Sequence, residues 1–87
     1  MSYRVSLYLA SELDSAPKHY MNRAQAIHAM RKLAYAKLEV FGKLDTDSAH
    51  SVMEAINKCD DILPKQDERH IKLSNTGYSI ILFNTAR

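Results

Sequence analysis

The chain has 87 residues, 46% of them hydrophobic, with a formal net charge of +2. This size fits one α+β domain over residues 1–87, and the apolar content excludes a disordered chain. A single cysteine excludes an internal disulfide, no apolar run reaches the ~20 residues of a membrane span, and the N-terminal stretch lacks a signal-peptide pattern, so a reducing cytoplasm (the host cell's, if a phage encodes the chain) is the expected setting.

Tyr3-Arg4-Val5-Ser6-Leu7-Tyr8-Leu9 alternates apolar and polar residues. That period predicts a strand with Tyr3, Val5, Leu7 and Leu9 on the buried face. Ser11 to Tyr20 contains Pro17 and has no usable period, so a loop is expected. A helix is predicted from Asn22, with Gln25 completing a capping box. Ile27, Met30, Ala34, Leu38 and Phe41 form its apolar stripe, and Gly42 stands where a C-terminal cap belongs. Lys37 falls near the stripe, so it must snorkel or the helix is rotated.

A second helix is predicted from about Thr46 to Leu63, capped by Asp45 or Thr46 and stopped by Pro64. Its stripe is Ala49, Val52, Ile56, Cys59 and Leu63. The short link from Gly42 to Asp45 makes the helices an antiparallel hairpin. Arg69 to Leu73 and Tyr78 to Phe83 read as two strands around a turn at Ser74-Asn75-Thr76-Gly77, with Asn75 as a side-chain cap and Gly77 at positive φ. The second of these strands is apolar on both parities, as in the middle of a sheet.

The expected fold is therefore strand-helix-helix-strand-strand. Two helices cover one face of a small, about three-stranded sheet in a two-layer α+β sandwich. The other face would be bare, presenting Tyr8, Ile81 and Phe83 (or, on the other parity of the last strand, Tyr78, Ile80 and Leu82) to a partner or a second copy, unless the loop with Leu13, Tyr20 and Met21 folds across it.

Charge is segregated along the chain. Residues 16–43 hold six cations and one acid; residues 44–68 hold seven acids and two cations. His28, Arg31, Lys32 and Tyr35 make a basic strip on the first helix, a candidate surface for an acidic protein or a phosphate backbone. Motif chemistry is sparse. No His or Cys spacing matches a metal set; His50, Glu54 and Asp61 share a helix face and are read as a solvated acidic face. Two glycines form no phosphate-binding loop, so no cofactor is expected.

The element order, with the hairpin Ile71-Lys72-Leu73 … Gly77-Tyr78-Ser79-Ile80-Ile81-Leu82, resembles the core of RelE-type toxins, small ribosome-dependent ribonucleases. The resemblance implies a ribonuclease site near Arg69, His70 and Lys72. Ser79 stands where those toxins commonly carry a basic residue.

The residues themselves favour a small, non-catalytic, protein-binding inhibitor or adaptor of the kind phages and mobile elements encode, anti-CRISPR proteins included. Its expected partner is a protein with an acidic or nucleic-acid-bound surface, or a homodimer mate. An RNA- or DNA-binding module, or a relative of the RelE-type ribonucleases, is the alternative.

Overall fold

In a computed structural model, residues 2–61, 68–73 and 76–84 are described, with backbone only at 60 and 61. The expectations for Leu63, Pro64, Asn75 and the Asp61 side chain lie outside these residues. The two helices pack on one face of a five-stranded antiparallel sheet.

Strand β1 (Tyr3–Leu9) has the predicted alternation: Tyr3, Val5 and Leu7 are buried. Leu9 is 41% exposed at the strand's end. The stretch expected to be a loop instead returns along the free edge of β1 as β2 (Glu12–Leu13) and β3 (Lys18–Tyr20). Two strand fragments of two and three residues are too short to carry a period, and Pro17 cannot donate to a ladder. The turn before β2 places Ala10 at φ +56°, with its N–H held by the Gly77 carbonyl at 2.8 Å.

Helix α1 (Arg23–Val40) starts as predicted: Asn22 Oδ1 accepts from the Gln25 N–H at 2.9 Å. It ends in a Schellman motif. Gly42 takes φ +66°, its N–H reaches the Glu39 carbonyl, and the Lys43 N–H reaches that of Leu38. Ala26, Ile27, Met30, Ala34 and Leu38 are buried, whereas Phe41 lies past the helix end and is 44% exposed. Phe41 meets Tyr78 edge to face at 6.3 Å instead of entering the core. Lys37 does snorkel: its Nζ lies 4.7 Å from the Tyr78 ring centroid.

Helix α2 (Asp47–Asn57) buries Ala49, Val52 and Ile56, then tightens into a 3-10 turn, Lys58–Asp61, that buries Cys59. The helical stretch is thus shorter in α form than the period suggested, because the tighter turn keeps Cys59 on the core side. Thr46 is the N-cap residue, but its hydroxyl donates back to the Lys43 carbonyl at 2.8 Å.

Strands β4 (Glu68–Lys72) and β5 (Tyr78–Asn84) form the predicted hairpin. Gly77 takes φ +82°. Thr76 caps the turn, donating its hydroxyl to the Leu73 carbonyl and accepting from the Tyr78 N–H. Strand β5 lies between β1 and β4, as its two apolar parities required.

Ile56 is fully buried between α2 and the sheet. Ile56→Ala should cost about 2–4 kcal/mol, which lowers Tm by roughly 10–20 °C in a domain this small. A thermal melt that moves only a degree or two would place Ile56 outside the core. Cys59 is 1% exposed. A thiol reagent should label the native protein on the order of a hundredfold more slowly than the denatured chain; equal rates would contradict this packing.

Candidate functional site

Strand pairing decides which side chains share the sheet face away from the helices. On β1 the helix side takes Tyr3, Val5 and Leu7, so Arg4, Ser6 and Tyr8 point the other way. On β5 Ile80 and Leu82 are fully buried, so Ser79, Ile81 and Phe83 take the open side. The registers align these into three rows. His19, Arg4, Phe83 and Glu68 form the first. Ser6, Ile81 and His70 form the second. Leu13, Tyr8, Ser79 and Lys72 form the third.

The chemistry of this face differs from the bare apolar patch expected. Tyr8, Ile81 and Phe83 do stand together on it, each half-buried. Charge surrounds them. The Arg4 guanidinium lies over the Phe83 ring, 4.9 Å from its centroid. His70 Nε2 donates to Glu68 Oε1 at 2.9 Å on the outer strand. Exposed His19 and Lys72 close two corners. The stretch with Leu13, Tyr20 and Met21 does not cover the face. Tyr20 turns to the helix side opposite Tyr3, Met21 is 77% exposed, and Leu13 sits at the rim.

The face gathers residues from all five strands, from Arg4 to Phe83 in sequence, so no local motif announces it. Alternation in β1 points to Arg4 and Tyr8. The contribution of His19 depends on β3, which has no sequence signature. Of the three residues implied by the resemblance to RelE-type toxins, His70 and Lys72 stand on the open face. Arg69 pairs with Leu82 on the helix side.

The second predicted surface lies on the opposite side of the molecule, on the outer face of α1. His28, Lys32 and Tyr35 are exposed there. Arg31 is half-buried and leans toward α2, where Nε donates to Asn57 Oδ1 at 3.0 Å. Glu54 of α2 is flanked by His50 of the same helix at 3.6 Å and by Lys58 of the following 3-10 turn at 3.7 Å. Among the described residues no group of three or more His, Cys, Asp or Glu is placed to hold a metal. No described helix is long and apolar enough to cross a membrane.

Comparison of the chain with models of known families, with curated proteins and with solved structures found no match.

The α1 strip should divide on mutation. Arg31→Ala removes an interhelical hydrogen bond and should cost about 0.5–1 kcal/mol, discounted for exposure. Lys32→Ala should stay within about 0.5 kcal/mol. Urea denaturation distinguishes them, and equal effects would contradict the Arg31–Asn57 link.

Proposed function

We propose that this protein is a non-catalytic binding protein that docks the open sheet face onto a protein partner and acts as an inhibitor or adaptor. One observation carries the reading: Arg4, Tyr8, Ile81 and Phe83 are held side by side on the two central strands, outside the helix layer. Arginine and aromatic side chains dominate the energetics of protein interfaces, and central strands hold them with little freedom left to lose on binding. The manner of action fits the small proteins that phages and mobile elements use against host machines, the anti-CRISPR class among them.

Two features favour a protein over a nucleic acid. The permanent cations Arg4 and Lys72 share the face with Glu68, a weak charge excess for a polyanion. Arg4 also occupies the Phe83 ring that a base would stack on. A catalytic role finds little support in the geometry. His19 and His70 stand on opposite edges of the sheet, three strand spacings or about 14 Å apart, too far to act as one acid–base pair.

Size sets an expectation for affinity. Three rows over four strands span roughly 14 by 14 Å. That is well below the ~800 Å² per partner of a standard interface. A long-lived complex therefore needs contacts beyond the grid, along the β4 edge or the rim at Leu13. Without them the association is transient.

Single-stranded nucleic acid is the second reading, favoured by Tyr8 and Phe83 on adjacent central strands with cations beside them.

The test compares wild type, Ile81→Lys and Lys32→Glu. A partner captured from an extract of the source cell is identified, purified and titrated by calorimetry. Ile81→Lys should stay folded and bind at least about tenfold more weakly, while Lys32→Glu on the opposite side should stay within about twofold. The reverse pattern would move the working surface to α1. Salt-dependent binding of a labelled single-stranded RNA that Phe83→Ala abolishes would replace the protein reading with the second.

A further inference from the structure

The edge of the sheet contains a register jump. Tyr8 pairs with Leu13, and Val5 pairs with Lys18. Between those pairs β1 supplies only Ser6 and Leu7, whereas the edge supplies residues 14–17. The surplus bulges off the ladder, and Pro17 within it cannot donate a hydrogen bond back. A continuous edge strand would stand a side chain beside Val5 and Leu7 on the helix side there. This one presents Ser15 and Ala16, and α1 presents Ala29 across from them.

A cleft of about 350 Å³ results between α1 and the sheet edge. Val5 and Leu7, each 3% exposed, and Leu33 supply its apolar lining. Its charged lining residues are Lys18 from β3 and Lys32 from α1. Lys18 pairs with Val5, so it stands on the helix side of the sheet. Both lysines are exposed, and among the described residues neither ammonium group has a hydrogen-bond or ion-pair partner. The Tyr20 side chain, half-buried, adds a hydroxyl-bearing wall.

We propose that this cleft binds a small monocarboxylate with a short unbranched apolar tail, the tail against Val5, Leu7 and Leu33 and the carboxylate between Lys18 and Lys32. Charge complementarity selects the sign: both ionic groups lining the cleft are cations. The volume, near the lower end for ligand pockets, selects a short tail. The small residues at the bulge and on α1 leave room for it. This site is separate from the open sheet face.

Octanoate is the probe, titrated below its micelle concentration into the full-length protein and followed in ¹H–¹⁵N NMR spectra. The expected result is saturable shifts centred on Ser15, Ala16, Lys18, Ala29, Lys32 and Leu33, with Kd on the order of 1 mM. Acetate and octanol, which carry only the charge or only the tail, should each bind at least about tenfold more weakly. Lys18→Glu with Lys32→Glu should abolish octanoate binding and admit octylammonium. Ala29→Leu should block both, with circular dichroism confirming the fold; the double charge reversal decides the matter if Ala29→Leu does not fold. Ile81→Lys should leave octanoate binding unchanged, which keeps this result independent of the sheet-face function. Absence of saturable shifts, shifts centred instead on exposed Leu9, Val40 and Phe41, octanol binding as well as octanoate, or indifference to the charge reversal would overturn the proposal.

Discussion

The seven-residue antiparallel pairing of β1 with β5 is the constraint on which the rest depends. It brings the two ends of the described chain together and sets both parities at once. Val5, Leu7, Ile80 and Leu82 share the side that α1 and α2 cover. Arg4, Ser6, Tyr8, Ser79, Ile81 and Phe83 are thereby fixed on the other side. A slip of one residue would exchange the two sets and place Arg4 in the core. The hairpin partner β4 and the returning edge β2–β3 then extend the sheet on either side of this pair.

The layering explains how charge is used. Along the sequence, cations crowd α1 and acids crowd the segment after it. In space the two helices are joined at Arg31 through a neutral acceptor, Asn57. The Glu54 contacts with His50 and Lys58 stay within α2 and its 3-10 turn and are largely exposed, so they contribute little to stability. The more consequential cations are Arg4 and Lys72, which pairing brings to one face from the first and fourth strands. The grouping of side chains on this face follows from register more than from composition.

Most of the architecture was legible because it rests on period and caps. The alternation of β1, the 3.6-residue stripes of both helices, the Asn22 cap, the Gly42 terminus and the doubly apolar β5 each have a direct physical cause in local sequence. Phe41 was misplaced because it continues the stripe one step beyond the Schellman turn, where the helical phase no longer applies. Strands β2 and β3 were illegible because pairing to β1, a tertiary event, makes them strands. That omission hid more than two short elements. It concealed the contribution of His19 to the open face and the register jump that opens the cleft beside Lys18. The two apolar parities of β5 left open from sequence whether Ile81 and Phe83 or Tyr78, Ile80 and Leu82 take the open face beside Tyr8, and the charge of Glu68, His70 and Lys72 was not legible there, because β4 supplies it from across the sheet.

Among the described residues, no element covers the sheet face that carries Tyr8, Ile81 and Phe83, and the proposed binding role needs that face open in the free protein. Paramagnetic relaxation by a neutral soluble gadolinium chelate tests it directly, because the effect falls steeply with distance from solvent. Proton signals of the His19, His70 and Lys72 side chains should broaden as strongly as those of His28 and Lys32 on the outer face of α1, while Ile80 and Leu82 stay sharp. This pattern should persist across protein concentrations. Protection of the His19, His70 and Lys72 signals, or protection that grows with concentration, would show that the chain or a second copy covers this face and would contradict the account.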